Sequence, residues 1–93
     1  MNPQRILKYH RDRIDAIDEL ILQWLNRRIE VGVSIGKLKE SSGLDVVDEE
    51  RERAIIGRLR EINRGPLGEG SILRIFRAII EETRKAQLPP KAE

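Results

Sequence analysis

From Pro3 to about Lys39, apolar residues recur at heptad spacing. With the register set at Leu7, one seam position holds Leu7, Ile14, Ile21, Arg28 and Ile35, and its companion holds His10, Ile17, Trp24, Val31 and Leu38. This period predicts one long helix whose apolar stripe is interrupted by a cation at Arg28. Asn2 offers a capping side chain and Pro3 suits the first turn, where a missing N–H is harmless. No proline follows in the run, and only Gly32 and Gly36 weaken it. At 1.5 Å per residue the helix would be about 55 Å long. A globule of this chain length has a radius of gyration of about 13 Å, so a second chain is needed to cover the stripe.

The rest of the pattern predicts two shorter helices. Glu40-Ser41-Ser42-Gly43-Leu44 reads as a helix stop and short loop. Asp48 is the expected N-cap of a second helix, with Glu49, Glu50 and Glu52 near the positive end of its dipole and Ile55, Leu59 and Ile62 on its apolar stripe. It should end near Asn63-Arg64-Gly65. The glycine-rich stretch Gly65 to Gly70 lacks a preceding strand and a Gly-Lys-Ser/Thr ending, so it reads as a helix–helix connection and not as a phosphate loop. Ser71 is the expected cap of a third helix reaching about Gln87, with Ile72, Phe76, Ile79 and Ile80 inward. The fold class is therefore all-α, a three-helix protomer with one very long N-terminal helix. Residues 1–87 form the domain and residues 88–93, with Pro89-Pro90, form a tail or linker.

Composition narrows the chemistry. Ninety-three residues support one small domain, and 3% aromatics make its core aliphatic. There is no cysteine and a single histidine, His10, so neither thiolate chemistry nor a metal site is expected. Neither a signal-type leader nor an apolar run of membrane-spanning length occurs, and the expected location is cytoplasmic. Eighteen basic and sixteen acidic residues leave a formal net charge of +2 with the signs interleaved, which argues against nucleic acid as a partner.

Several polar residues occupy positions where apolar ones belong. The stripe of the second helix runs back through Arg51 or Glu52 to Asp48, and that of the third runs forward to Thr83 and Gln87. Singly, each could mark the end of a helix emerging into water. Arg28 is flanked by apolar seam positions on both sides, and such a residue can fix register or oligomeric state. Lys39 lies eleven residues on, only about 20° away in direction and about 16 Å along the axis, so the two long side chains can flank one small anion. Arg11 lies about 25 Å from Arg28 along the helix, too far to share a ligand within one chain, though an antiparallel second copy could return it. Guanidinium groups and an ammonium without a nucleophile suit a small dianion, and any chemistry would rest on positioning and electrostatics.

The segments Arg11-Asp12-Arg13-Ile14-Asp15-Ala16-Ile17-Asp18, Arg27-Arg28 with Gly36-Lys37-Leu38-Lys39, Asp48 to Arg53, and Ile75 to Thr83 resemble, in order and spacing, the all-helical chorismate mutases of the AroQ class. The resemblance spans Arg11 to Gln87. It implies an intertwined helical homodimer with two equivalent sites that convert chorismate to prephenate in phenylalanine and tyrosine biosynthesis, by a pericyclic Claisen rearrangement that uses no cofactor. It further implies that Arg28 and the partner's Arg11 clamp the two carboxylates, while Lys39 and Gln87 hydrogen-bond the ether oxygen. Glu52 and the backbone of Asp48 would hold the ring hydroxyl, with Arg51 and Thr83 completing the polar wall. Thr83 stands where the family often has serine, adding a methyl. Some family members are fused to prephenate dehydratase or another aromatic-pathway enzyme, and Gln87-Leu88-Pro89-Pro90 could begin such a linker.

Two other readings remain at this level. Isochorismate pyruvate lyase shares the fold and a similar cationic pocket, although Asp48, Arg51 and Glu52 look more like the mutases. Alternatively the chain is a non-catalytic helical dimerisation module in which Arg28 only sets register.

Overall fold

The computed structural model describes residues 2–89, so the end of the expected tail, residues 90–93, lies outside the described residues. Three helices follow in order: α1 (Pro3–Ser42), α2 (Glu49–Ile62) and α3 (Glu69–Gln87). Local side-chain chemistry sets most of their ends. Asn2 Oδ1 accepts from the Gln4 amide at 2.9 Å, satisfying one of the free donors at the start of α1. Gly43 ends that helix in the left-handed conformation, φ 69°, and its N–H is bonded to the Lys39 carbonyl. Asp48 Oδ1 caps α2 by accepting from the Arg51 amide at 2.9 Å, an interaction of about 1 kcal/mol.

The start of α3 differs from expectation. Its N-cap is Gly68, without a side-chain cap, and Ser71 lies inside the first turn with Oγ accepting from Arg74 Nη2 at 3.3 Å. Asn63 explains the earlier start. It donates from Nδ2 to the Leu67 carbonyl at 2.8 Å and accepts the Gly65 amide at 3.1 Å, folding the connection tightly enough for α3 to begin at Glu69.

Helix α3 is the hub. It packs against α1 and against α2, whereas α1 and α2 do not pack directly on each other among the described residues. The buried apolar core is correspondingly small: Ile56, Ile72 and Ile80. Ile56 replaces the end of the expected α2 stripe, because Ile62 is 55% exposed and Ile55 and Leu59 are half-buried. A 14-residue helix resting on one neighbour buries the side facing that neighbour, and Ile56 points there. The expected inward set of α3 divides similarly, with Ile72 and Ile80 buried and Phe76 and Ile79 half-buried.

Along α1 the only buried residues are Gly32 and Gly36, the two positions that weaken the helical pattern. They are where α3 comes closest. A Cβ added at Gly36 would lie 2.6 Å from Gln87 Cα, and one added at Gly32 would lie 2.6 Å from Thr83 Cγ2. The heptad seam faces outward instead, with Trp24 69% exposed and Ile14, Ile17, Ile21, Val31 and Leu38 also exposed. The chain extends 62 × 34 × 18 Å with a radius of gyration of 17.6 Å, against about 13 Å for a compact chain of this length. No helix among the described residues is long and apolar enough to cross a membrane.

Candidate active site

Where the C-terminal half of α1, the start of α2 and the end of α3 converge, they enclose a cavity of about 380 Å³. That is the size range of small-molecule sites. Arg28, Lys39, Asp48, Arg51, Glu52, Thr83 and Gln87 all line it, with an apolar floor that includes Val31, Ile35, Ile55 and Ile80. Arg11 does not line it; it lies exposed in the N-terminal half of α1. Close approach at Gly32 and Gly36 is what draws the polar end of α3 over α1, so that Thr83 and Gln87 meet Arg28 and Lys39.

The charges do not balance. Arg28, Lys39 and Arg51 face Asp48 and Glu52, leaving one positive charge in excess, since the fourth lining cation, Arg84, is paired with Glu81. Burial, and secondarily repulsion from Arg51, pushes Arg28 below the usual arginine pKa. Among the described residues no carboxylate lies within ion-pairing distance of Arg28. Its Nη1 donates instead to Thr83 Oγ1, whose own hydroxyl donates to the Ile79 carbonyl at 2.9 Å. A partly buried guanidinium held by a neutral hydroxyl beside another cation is suited to pairing with an anion.

Two further polar groups are unspent. Gln87 lines the cavity, and its acceptor Oε1 is buried without a hydrogen-bond partner. Lys39 Nζ donates to the Val46 carbonyl at 3.3 Å, a neutral and replaceable partner. The chemistry available here is capture of a small dianion by cations, with donors from Lys39 and Gln87 for an oxygen that gains charge.

Arg84 and Val46 are among the lining residues that the sequence did not place in the site. Arg84 shares the face of Ile80 and Gln87 by steps of four and three, a spacing that could have revealed it. Its guanidinium is held by Glu81 at 2.5 and 3.0 Å, and that pairing holds Arg84 above the usual arginine pKa. Val46 comes from the irregular connection between α1 and α2, where no periodicity could have selected it.

Residues 10–88 match the family described as Chorismate mutase type II. The chain belongs to this family. Among its relatives, a bifunctional chorismate mutase/prephenate dehydratase of Neisseria gonorrhoeae is 39% identical over 80 residues, covering 86% of this chain and 22% of that protein. Proteins of the same name from Aquifex aeolicus and Escherichia coli K12 are 34% and 38% identical over 97 and 74 residues. Those two alignments cover 92% and 78% of this chain and 27% and 19% of the relatives. The chain thus spans about a fifth to a quarter of the length of these chorismate mutase relatives. A solved structure, a conserved hypothetical protein from Pyrococcus furiosus, superposes with a TM-score of 0.75 at 31% identity, covering 89% of this chain and 96% of that one.

Proposed function

We propose that this chorismate mutase family member converts chorismate to prephenate. The observation that carries the reading is the convergence of Arg28, Lys39 and Arg51 on one cavity that Gln87 also lines. Chorismate is a flexible dianion whose reacting ends must fold over each other, and fixed cations select that compact conformer. Arg28 binds one carboxylate in place of its contact with Thr83 or alongside it. Lys39 leaves the Val46 carbonyl and, with the Gln87 amide N–H, donates to the ether oxygen as the C–O bond breaks. Glu52 and the Asp48 backbone take the ring hydroxyl, and Arg51 and Thr83 complete the wall. No step requires a cofactor or a covalent intermediate.

The catalytic unit is a homodimer in which the partner's α1 supplies Arg11. Three observations support this: the open α1 seam, the small apolar core among the described residues, and the position of Arg11 outside the cavity. Covering Trp24, Ile21 and Ile17 removes a continuous apolar stripe from water. Residues 1–87 are the mutase domain, the segment from Leu88 onward is a tail or linker, and the enzyme works in the cytoplasm.

The decisive experiment is an assay of chorismate loss with product identification, on wild type and Arg28→Ala. Prephenate from wild type and little from the variant is expected. Salicylate and pyruvate from isochorismate, without prephenate from chorismate, would assign the lyase reaction instead.

A further inference from the structure

The contact between α1 and α3 at Gly32 has a consequence for Arg28. Thr83 is 8% exposed, and each of its three side-chain features is used. Its hydroxyl donates to the Ile79 carbonyl and accepts from Arg28 Nη1, while its methyl lies against Gly32. A threonine with its methyl fixed has one free choice fewer for its hydroxyl, because χ1 places both atoms at once. The space at Gly32 therefore decides where Thr83 Oγ1 points, and Thr83 Oγ1 is the hydrogen-bond partner of the Arg28 guanidinium.

We propose that Gly32 is a positioning residue matched to Thr83: its missing side chain leaves room for the Thr83 methyl, locking the rotamer whose hydroxyl aims Arg28 into the cavity. This inference rests on the chorismate reading of the site for its catalytic readout, though not for its binding readout. The clash that would follow from a side chain at residue 32 is specific. An added Cβ would lie 2.6 Å from Thr83 Cγ2, but 3.4 Å from the Thr83 carbonyl oxygen and 3.8 Å from Thr83 Cβ. Removing the methyl alone therefore relieves it. At Gly36 the conflict is with the backbone of Gln87, at 2.6 Å from Cα and 2.8 Å from the carbonyl carbon, and no side-chain trimming can relieve that. Gly36 sets the helix spacing, and Gly32 sets a rotamer.

The test is a double-mutant cycle read by kcat and KM for chorismate, by calorimetric binding of a rigid dicarboxylate mimic of the compact conformer, and by thermal melting. Gly32→Ala should lower kcat/KM and dicarboxylate affinity by about tenfold or more in the wild-type background, and by less than about threefold in the Thr83→Ser background. Equal losses in the two backgrounds, or no loss in the first, would overturn the inference. A second variant covers the case in which Gly32→Ala does not fold. Thr83→Val keeps a methyl against Gly32 and deletes the hydroxyl, so it should melt close to wild type while raising KM more than it lowers kcat. An unchanged KM and dicarboxylate affinity in Thr83→Val would equally overturn it. Wild type that binds the dicarboxylate with this coupling, yet leaves chorismate unconverted, sinks the proposed reaction and leaves the Gly32 assignment standing. Turnover of chorismate without coupling does the reverse.

Discussion

Lys39 Nζ donates to the Val46 carbonyl oxygen at 3.3 Å, tying the last turns of α1 to the connection that leads into α2. The same ammonium lines the cavity, so its present partner is a placeholder that an anionic or developing-anionic oxygen outcompetes. In the proposed reaction the ether oxygen is only weakly charged before the bond breaks, so Lys39 would act mainly in the transition state. Lys39→Ala should lower kcat by about 10² to 10³-fold while KM changes much less. Initial rates of chorismate loss at varied substrate check this, and near-wild-type turnover would remove Lys39 from the mechanism.

Gln87 permits a sharper test because its amide donates at any pH. Gln87→Glu would replace the donor with a carboxylate that repels the developing charge when ionised and donates only when protonated. Burial raises the pKa of such a group. The variant should therefore be nearly inactive around pH 7.5 and recover by about tenfold or more as pH falls toward about 5, a dependence absent from the wild-type residue at this position. The profile of kcat/KM against pH measures it, and a flat profile for the variant would contradict the role.

The Glu81–Arg84 pair gives a stability prediction with a definite sign. The hydrogen bond from Arg84 is the leading cause that holds Glu81 below its ordinary pKa of 4.5. A carboxylate whose folded pKa is depressed adds stability above the unfolded pKa and loses it as pH falls through the folded one, because the unfolded chain takes up the proton first. Glu81→Gln should thus melt below wild type near neutral pH, and the difference should vanish as pH falls through the lowered pKa of Glu81. Both ends of the pair are substantially solvent-exposed, so the difference should be small and shrink in high salt.

What was legible in the sequence follows from how local each feature is. The start of α1 at Asn2 and Pro3, its stop at Gly43 and the Asp48 cap depend on groups a few residues apart, and they stand in the structure as read. The start of α3 was misread because Asn63, six residues upstream of Glu69, sets it through the connection. Burial was harder to read, since the α1 residues that pack most deeply are glycines, which leave no hydropathy signal. Their spacing of four, Gly32 to Gly36, does carry information, because it marks one face on which a second backbone can approach. The polar members of the candidate site were legible from interrupted stripes, whereas Arg84, three residues after Glu81, reads in sequence as one half of an ordinary solvated helix pair unless its spacing from Ile80 and Gln87 is followed.

Arg11 carries the prediction that separates a shared site from a self-contained one. It lies seventeen residues before Arg28, about 25 Å along the same helix, and outside the cavity that Arg28 lines. If two antiparallel α1 seams pair, each cavity receives Arg28 from one chain and Arg11 from the other. Arg11→Ala and Arg28→Ala homodimers then have two defective sites each. A heterodimer of the two has one site with both arginines and one with neither. Random exchange of equal amounts makes half the dimers mixed, so activity should return to about a quarter of the wild-type value per chain. Exchange can be verified by mass difference on native spectrometry while chorismate loss is followed. Mixed dimers without recovered activity would place both arginines in the same chain's site, whereas a fully active Arg11→Ala homodimer would place Arg11 in none.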